Sequence, residues 1–151
     1  MDILIRKMTP KDSSYVADLS AELGYPASKE TIESRITRLL DKADHYLLVA
    51  CKECHETEVF GWIHIRINEA LEVPTHAEIT ALVVAPAYRG AKIGQRLVEA
   101  GEAWCSREVD SIQLRSKISR TEAHRFYERL DYKITKTSHL FVKTLPSASM
   151  P

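Results

Sequence analysis

The spacing of apolar residues changes period several times along the chain. Ile3 and Ile5 alternate with polar neighbours and predict a strand over residues 2–7. Thr9-Pro10 then supplies an N-cap and a proline at the first helical position, and Asp12 completes a capping-box spacing. Val16, Leu19 and Leu23 fall on one helical face, and Gly24 suits the stop. Ser28 predicts the cap of a second helix with the stripe Ile32, Ile36, Leu39 and Leu40.

Beyond residue 43 the period becomes two. YLLVAC (46–51) and VFGWIHIRI (59–67) predict a hairpin joined by KECHETE, and AEITALVV (77–84) predicts a further strand closed by Pro86. Ile93, Leu97, Gly101 and Trp104 return to helical spacing over 93–105, and SIQLRS (111–116) reads as a strand. Ser119 and Glu122 predict a capping box for a helix with Ala123, Phe126, Tyr127 and Leu130 on one face. YKIT and HLFVKTL predict two final strands. The order β-α-α-β-β-β-α-β-α-β-β predicts an α/β (α+β) fold, in which four helices cover a mixed, mostly antiparallel central sheet of about seven strands.

Length and composition narrow the picture. With 151 residues, 44% hydrophobic and 28% charged, the chain predicts a single domain over 1–145, with PSASMP (146–151) as a frayed tail. Lys+Arg and Asp+Glu both number 21, so there is no basic surplus of the kind a duplex-binding protein carries, and no nucleic-acid partner is expected. The apolar runs are too short for a bilayer span, so no membrane partner is expected, and MDILIRKM is not a secretory signal. Three cysteines without an export signal predict reduced thiols and a cytoplasmic location. CKECH (51–55) matches a haem-attachment pattern, but that chemistry follows export, and zinc would need a fourth ligand. No metal is expected.

The chemistry begins at YRGAKIGQRL (88–97), which holds two of the five glycines just before a helical pattern. A helix N-terminus presents unpaired N–H groups and partial positive charge. Gly90 and Gly94 let a phosphate approach the main chain, and Arg89 and Lys92 add charge. The spacing is neither a Walker loop nor a dinucleotide fingerprint.

The run VVAPAYRGAKIGQRLVEAGEAW followed by RTEAHRFYERLDY resembles the GNAT superfamily of N-acetyltransferases, whose pyrophosphate loop reads [Q/R]-x-x-G-x-[G/A]. The resemblance is closest over 76–133. It implies acetyl-CoA as cosubstrate and no metal, with direct transfer to a primary amine of a small molecule or peptide through a ternary complex. It also implies coenzyme contacts from Arg89, Gly90, Ala91, Lys92, Ile93, Gly94 and Gln95, from the backbones of Leu82, Val83 and Val84, and from Arg120 and Ala123. Tyr127, in the FYE signature, is the implied acid for the departing thiolate. Glu78 is the candidate base, and the two-residue period puts it on one strand face with Thr80, Leu82 and Val84. Glu69 and Glu72 stand where a cationic acceptor would enter. Lys92 and Asp131 replace family glycines, and Arg120 stands where an asparagine is common. A coenzyme A-binding module without turnover and a protein lysine acetyltransferase are the alternatives. Family members often dimerise, so a homodimer is also compatible with the resemblance.

Overall fold

The alternating runs pair into a five-stranded sheet in the computed structural model of the chain, which describes residues 2–147. Strands β1 (Ile3–Lys7), β2 (His45–Lys52), β3 (His55–Asn68), β4 (His76–Val84) and β5 (Ile112–Leu114) lie side by side in chain order. The first three junctions are antiparallel, while β4 and β5 run parallel. Helices α1 (Ser13–Glu22) and α2 (Lys29–Leu40) connect β1 to β2, and α3 (Ile93–Cys105) connects β4 to β5. These elements belong to a compact unit that ends at Ser119. A second unit starts at Arg120 and contains α4 (Thr121–Arg129).

Local chemistry explains the first turns. The carboxylate of Asp12 accepts the Thr9 amide at 2.8 Å and is gripped by both terminal nitrogens of Arg6 at 2.9 and 2.8 Å. A buried charge thus fixes where β1 ends and the helical region begins. Ser28 Oγ accepts the Thr31 amide at 3.1 Å and starts α2, while Gly24, at φ 96°, ends the α1 region.

The sheet buries both faces. On one, Leu47, Val49 and Val83 pack with Val16, Ala17 and Leu19 of α1 and with Ile32 and Ile36 of α2. On the other, Ile63 and Ile65 meet α3 at Gly101, where a Cβ would overlap Ile65 Cδ1. Gly101→Ala gains up to about 1 kcal/mol of helix propensity, but overpacking a full interior costs about 1–3 kcal/mol. The variant should therefore be less stable by about 1 kcal/mol in denaturant unfolding; equal or greater stability would show that Ile65 repacks freely.

Several sequence expectations change. YKIT (132–135) and HLFVKTL (139–145) form no strand among the described residues, so the sheet has five strands rather than about seven and the element order ends at α4. Alternation describes side chains, whereas a strand also needs a neighbour to accept its ladder. The capping box of Ser119 and Glu122 does not form. Arg120, at ψ 67°, is the N-cap of α4, so Glu122 is one position too early to reach back. β2 and β3 extend into KECHETE and leave only Glu53 and Cys54 between them. Leu40 lies exposed at the end of α2. Of the expected tail at 146–151, the residues beyond 147 lie outside those described.

Candidate active site

A single extra residue organises the site. Ile79 pairs with Ile65 and Ala81 with His64, so Thr80 is bulged out of the β3–β4 ladder. Its hydroxyl donates to the His64 carbonyl at 3.2 Å. The bulge reverses the alternation. Glu78 does not share a face with Leu82 and Val84, as a strict period of two predicts. It lies with Ala81 and Val83, across from Arg66, His64 and Trp62.

Glu78 is buried on that face. Its Oε1 is 3.0 Å from a terminal nitrogen of Arg66, and its Oε2 accepts from Arg115, with Gln113 Nε2 at 3.5 Å. Both carboxylate oxygens are therefore committed to guanidinium groups. The Arg115 side chain is 68% exposed and can turn towards solvent.

One strand over, His45 Nδ1 and His64 Nε2 are 2.8 Å apart. Burial, reinforced by the charges of His45 and Arg66, lowers the His64 pKa to about 4. His45 is also lowered, chiefly by burial, with the Asp44 carboxylate opposing.

β4 pairs with β5 only over Ala77–Ile79. From Thr80 onwards, including Leu82, Val83 and Val84, it pairs with β3 alone among the described residues. The far edge of this stretch carries backbone groups that no strand occupies. Tyr88 stacks on Phe60 with ring centroids 4.3 Å apart, which anchors the turn that follows. Arg89 Nε reaches the Val84 carbonyl at 3.4 Å.

In the turn itself, the Arg89 amide donates to Pro86 and the Arg96 amide to Lys92. Between them, the amides of Gly90, Ala91, Lys92, Ile93, Gly94 and Gln95 take no part in the turn and cap bonds of the described residues, and no side chain caps α3. Gly90 holds φ 89° with open space beside it, while Ile93 is buried and pins the helix to the sheet. Such a row of amides at a helix N-terminus fits a diphosphate. Gln95 spends its side chain on Glu99, at 2.8 Å, so it has only its amide to offer. Lys92 adopts φ 62°, a left-handed conformation that costs a non-glycine residue about 1–2 kcal/mol.

In the second unit, Arg120 and Ala123 stand at the start of α4. Tyr127 packs edge-on against Phe126 and Tyr132, with centroids 5.0 and 5.7 Å apart. Burial raises the Tyr127 phenol pKa, partly opposed by the Arg120 charge. Asp131, directly beyond the helix, is left-handed at φ 71°, the conformation that favours a glycine there.

The residues that sequence reasoning left out are Arg66, His45 and His64. Alternation in WIHIRI already put Trp62, His64 and Arg66 on one face. Only the register shows that Glu78 joins them. Cys51 and Cys105 are buried and Cys54 is exposed; among the described residues no three potential metal ligands gather. No helix among them is long and apolar enough to cross a membrane.

Comparison with known proteins adds an independent line. Residues 13–132 match the Acetyltransferase (GNAT) family. Aminoalkylphosphonate N-acetyltransferase of Salmonella typhimurium is 36% identical over 124 residues, covering 76% of this chain and 71% of that protein. The crystal structure of a transcriptional regulator from Bacillus halodurans C-125 superposes with a TM-score of 0.78 at 24% identity, over 95% of this chain and 99% of the other. AAC(6')-Iy in complex with the bisubstrate analogue CoA-S-monomethyl-acetylneamine gives 0.82 at 13% identity, over 96% and 100%. At these identities the two structures speak for the fold alone.

Proposed function

The chain belongs to the GNAT family of acetyl-CoA-dependent N-acetyltransferases, and from that premise we propose that one domain over 1–145 transfers the acetyl group directly to a small primary amine in a ternary complex. The single observation that carries this reading is the row of open amides from Gly90 to Gln95, ahead of a β4 edge that β5 does not cover.

Acetyl-CoA, when bound, supplies an activated acyl group; the chain supplies position and charge. The amides of 90–95, with Arg89 and Lys92, hold the diphosphate. The free edge at Leu82, Val83 and Val84 receives the pantetheine arm and the acetyl carbonyl, so the oxygen that gains charge meets a fixed N–H donor. By the family resemblance, Arg120 and Ala123 are assigned to coenzyme binding, and Tyr127 to the proton that the leaving thiolate takes up. Holding both reactants in line replaces any need for a covalent intermediate.

On the amine side, Glu78 draws in the ammonium form. To accept the proton itself, it would have to leave two guanidinium groups without their counter-ion, so it acts first as a binding group. Two arginines around one carboxylate leave positive charge over, and Arg115 is exposed enough to turn to an anion. We therefore read the acceptor as a small amine that also carries an anionic group, such as an aminoalkylphosphonate, the compound class named for the 36%-identical relative.

Thiol release from acetyl-CoA, followed across an aminoalkylphosphonate, an aminocarboxylate, a polyamine and a lysine peptide, tests this. The phosphonate should give the highest kcat/KM. A preference for the peptide, or no turnover with any amine, would overturn the reading. Glu78→Gln should raise the KM for the amine about tenfold, the loss of one charged contact, and leave the KM for acetyl-CoA in place. An unchanged amine KM would remove Glu78 from the acceptor site.

A further inference from the structure

We infer that His45 and His64 form a proton wire that carries the acceptor's proton from the acetyl-transfer site to solvent, so that His64 rather than Glu78 is the group that deprotonates the amine. The inference rests on the reading above, in which the amine meets the acetyl group where β4 parts from β5.

The placement comes from the register. His64 lies opposite Ala81, one residue past the bulge that begins the free stretch of β4, and on the face that Glu78 occupies. Neighbouring strands are about 4.8 Å apart, so the ring is one strand away from that edge. Ala81 itself adds only a methyl group to that face. Trp62, on the same face, holds its Nε1 buried with no partner among the described residues, a donor that a bound acceptor would satisfy.

The geometry of the pair suits relay. His45 Nδ1 and His64 Nε2 share one hydrogen bond, and no other bond of the described residues engages His64 Nδ1. In the tautomer where His64 Nε2–H donates to His45 Nδ1, His64 Nδ1 carries the lone pair that would take the ammonium proton. One proton then moves from the ammonium to His64 Nδ1, the Nε2 proton moves to His45 Nδ1, and the His45 Nε2 proton passes to water. The neutral amine attacks the acetyl carbon, a C–N bond forms and the C–S bond breaks. The amine's second proton balances the thiolate, through Tyr127 in the reading above. When the product leaves, the emptied site rehydrates and the hops run backwards to water.

The charges that act on the pair favour a neutral wire. Lys42 and Asp44 precede His45, with Asp44 Oδ1 3.9 Å from His45 Nε2, and Arg66 faces both rings from β3. Glu78 lies opposite Arg66 on β4, where Arg66 and Arg115 share its charge. With a pKa of about 4, His64 is unprotonated at neutral pH, the state from which a relay starts.

The test compares His64→Gln and His45→Gln with the unaltered enzyme, following thiol release from acetyl-CoA. Glutamine preserves a hydrogen bond but cannot take a proton at one atom and release it at another. With an alkylamine acceptor, kcat at pH 7 should fall about 10- to 100-fold in both variants. The KM for acetyl-CoA should stay in place. The deficit should shrink as pH rises towards the amine's own pKa, and should vanish for a weakly basic amine that arrives neutral. Added imidazole should restore part of the activity of His45→Gln, whose gap opens near the surface.

A merely structural pair would lower thermal stability and depress the rate equally for both amine types at every pH, and that result overturns the wire. If His64→Gln fails to fold, His45→Gln carries the same comparison. Failure of the unaltered enzyme with every amine would instead strike the acetyltransferase reading, so the two outcomes are distinct.

Discussion

Gly90→Val should weaken acetyl-CoA binding by about tenfold or more, measured by calorimetric titration. Gly90 holds φ 89°, and nothing stands within 4 Å of the place a Cβ would take, so the variant suffers no collision. Its penalty is in the backbone. A β-branched residue at positive φ costs about 1–3 kcal/mol, and the chain escapes that cost by rotating the turn. Each 1.4 kcal/mol is about a factor of ten in affinity, and the rotation takes the amides of 91–95 out of line together. Gly90→Ala should fall between the two. Undiminished affinity in the valine variant would mean that these amides do not hold the diphosphate.

Tyr127→Phe should cut kcat by about 10²- to 10⁴-fold, the range of a positioned general acid, while leaving the coenzyme dissociation constant nearly unchanged. Burial holds the phenol above its ordinary pKa, so its proton stays in place through neutral pH and is lost only in strongly alkaline solution. The sign of the pH dependence follows. An activity loss caused by Tyr127 ionising belongs on the alkaline side, above the usual tyrosine range, and never on the acid side. The phenylalanine variant should lack that alkaline limb. A kcat within twofold of the parent would show that the thiolate leaves without help from this residue.

What the sequence made legible was whatever depends on local pattern. The glycine turn stood out because two glycines flank a lysine at the start of a helix, and α3 runs over Ile93–Cys105 as the spacing of Ile93, Leu97, Gly101 and Trp104 required. Thr9 with Asp12 and Ser28 with Thr31 were readable because caps involve residues three apart. Features that depend on partners distant in the chain were not. Nothing in AEITALVV marks Thr80 as bulged, because the extra residue is defined by the ladder it leaves. The contacts of Glu78 come from residues 12 positions earlier and 37 later, and so were invisible to any window along the chain. The last two strands failed for the same reason: their alternation is present, but a partner is a property of the fold.

The bulge at Thr80 gives β4 a residue that it can lose without reversing its faces. Thr80→Val removes one hydroxyl contact and keeps the count of residues. Deleting Thr80 would close the ladder into an even alternation in which Glu78, Ile79, Ala81 and Leu82 keep their partners and their faces. A one-codon loss at this point would therefore leave the facing side chains in register and remove the bend and added twist that the extra residue puts into the strand.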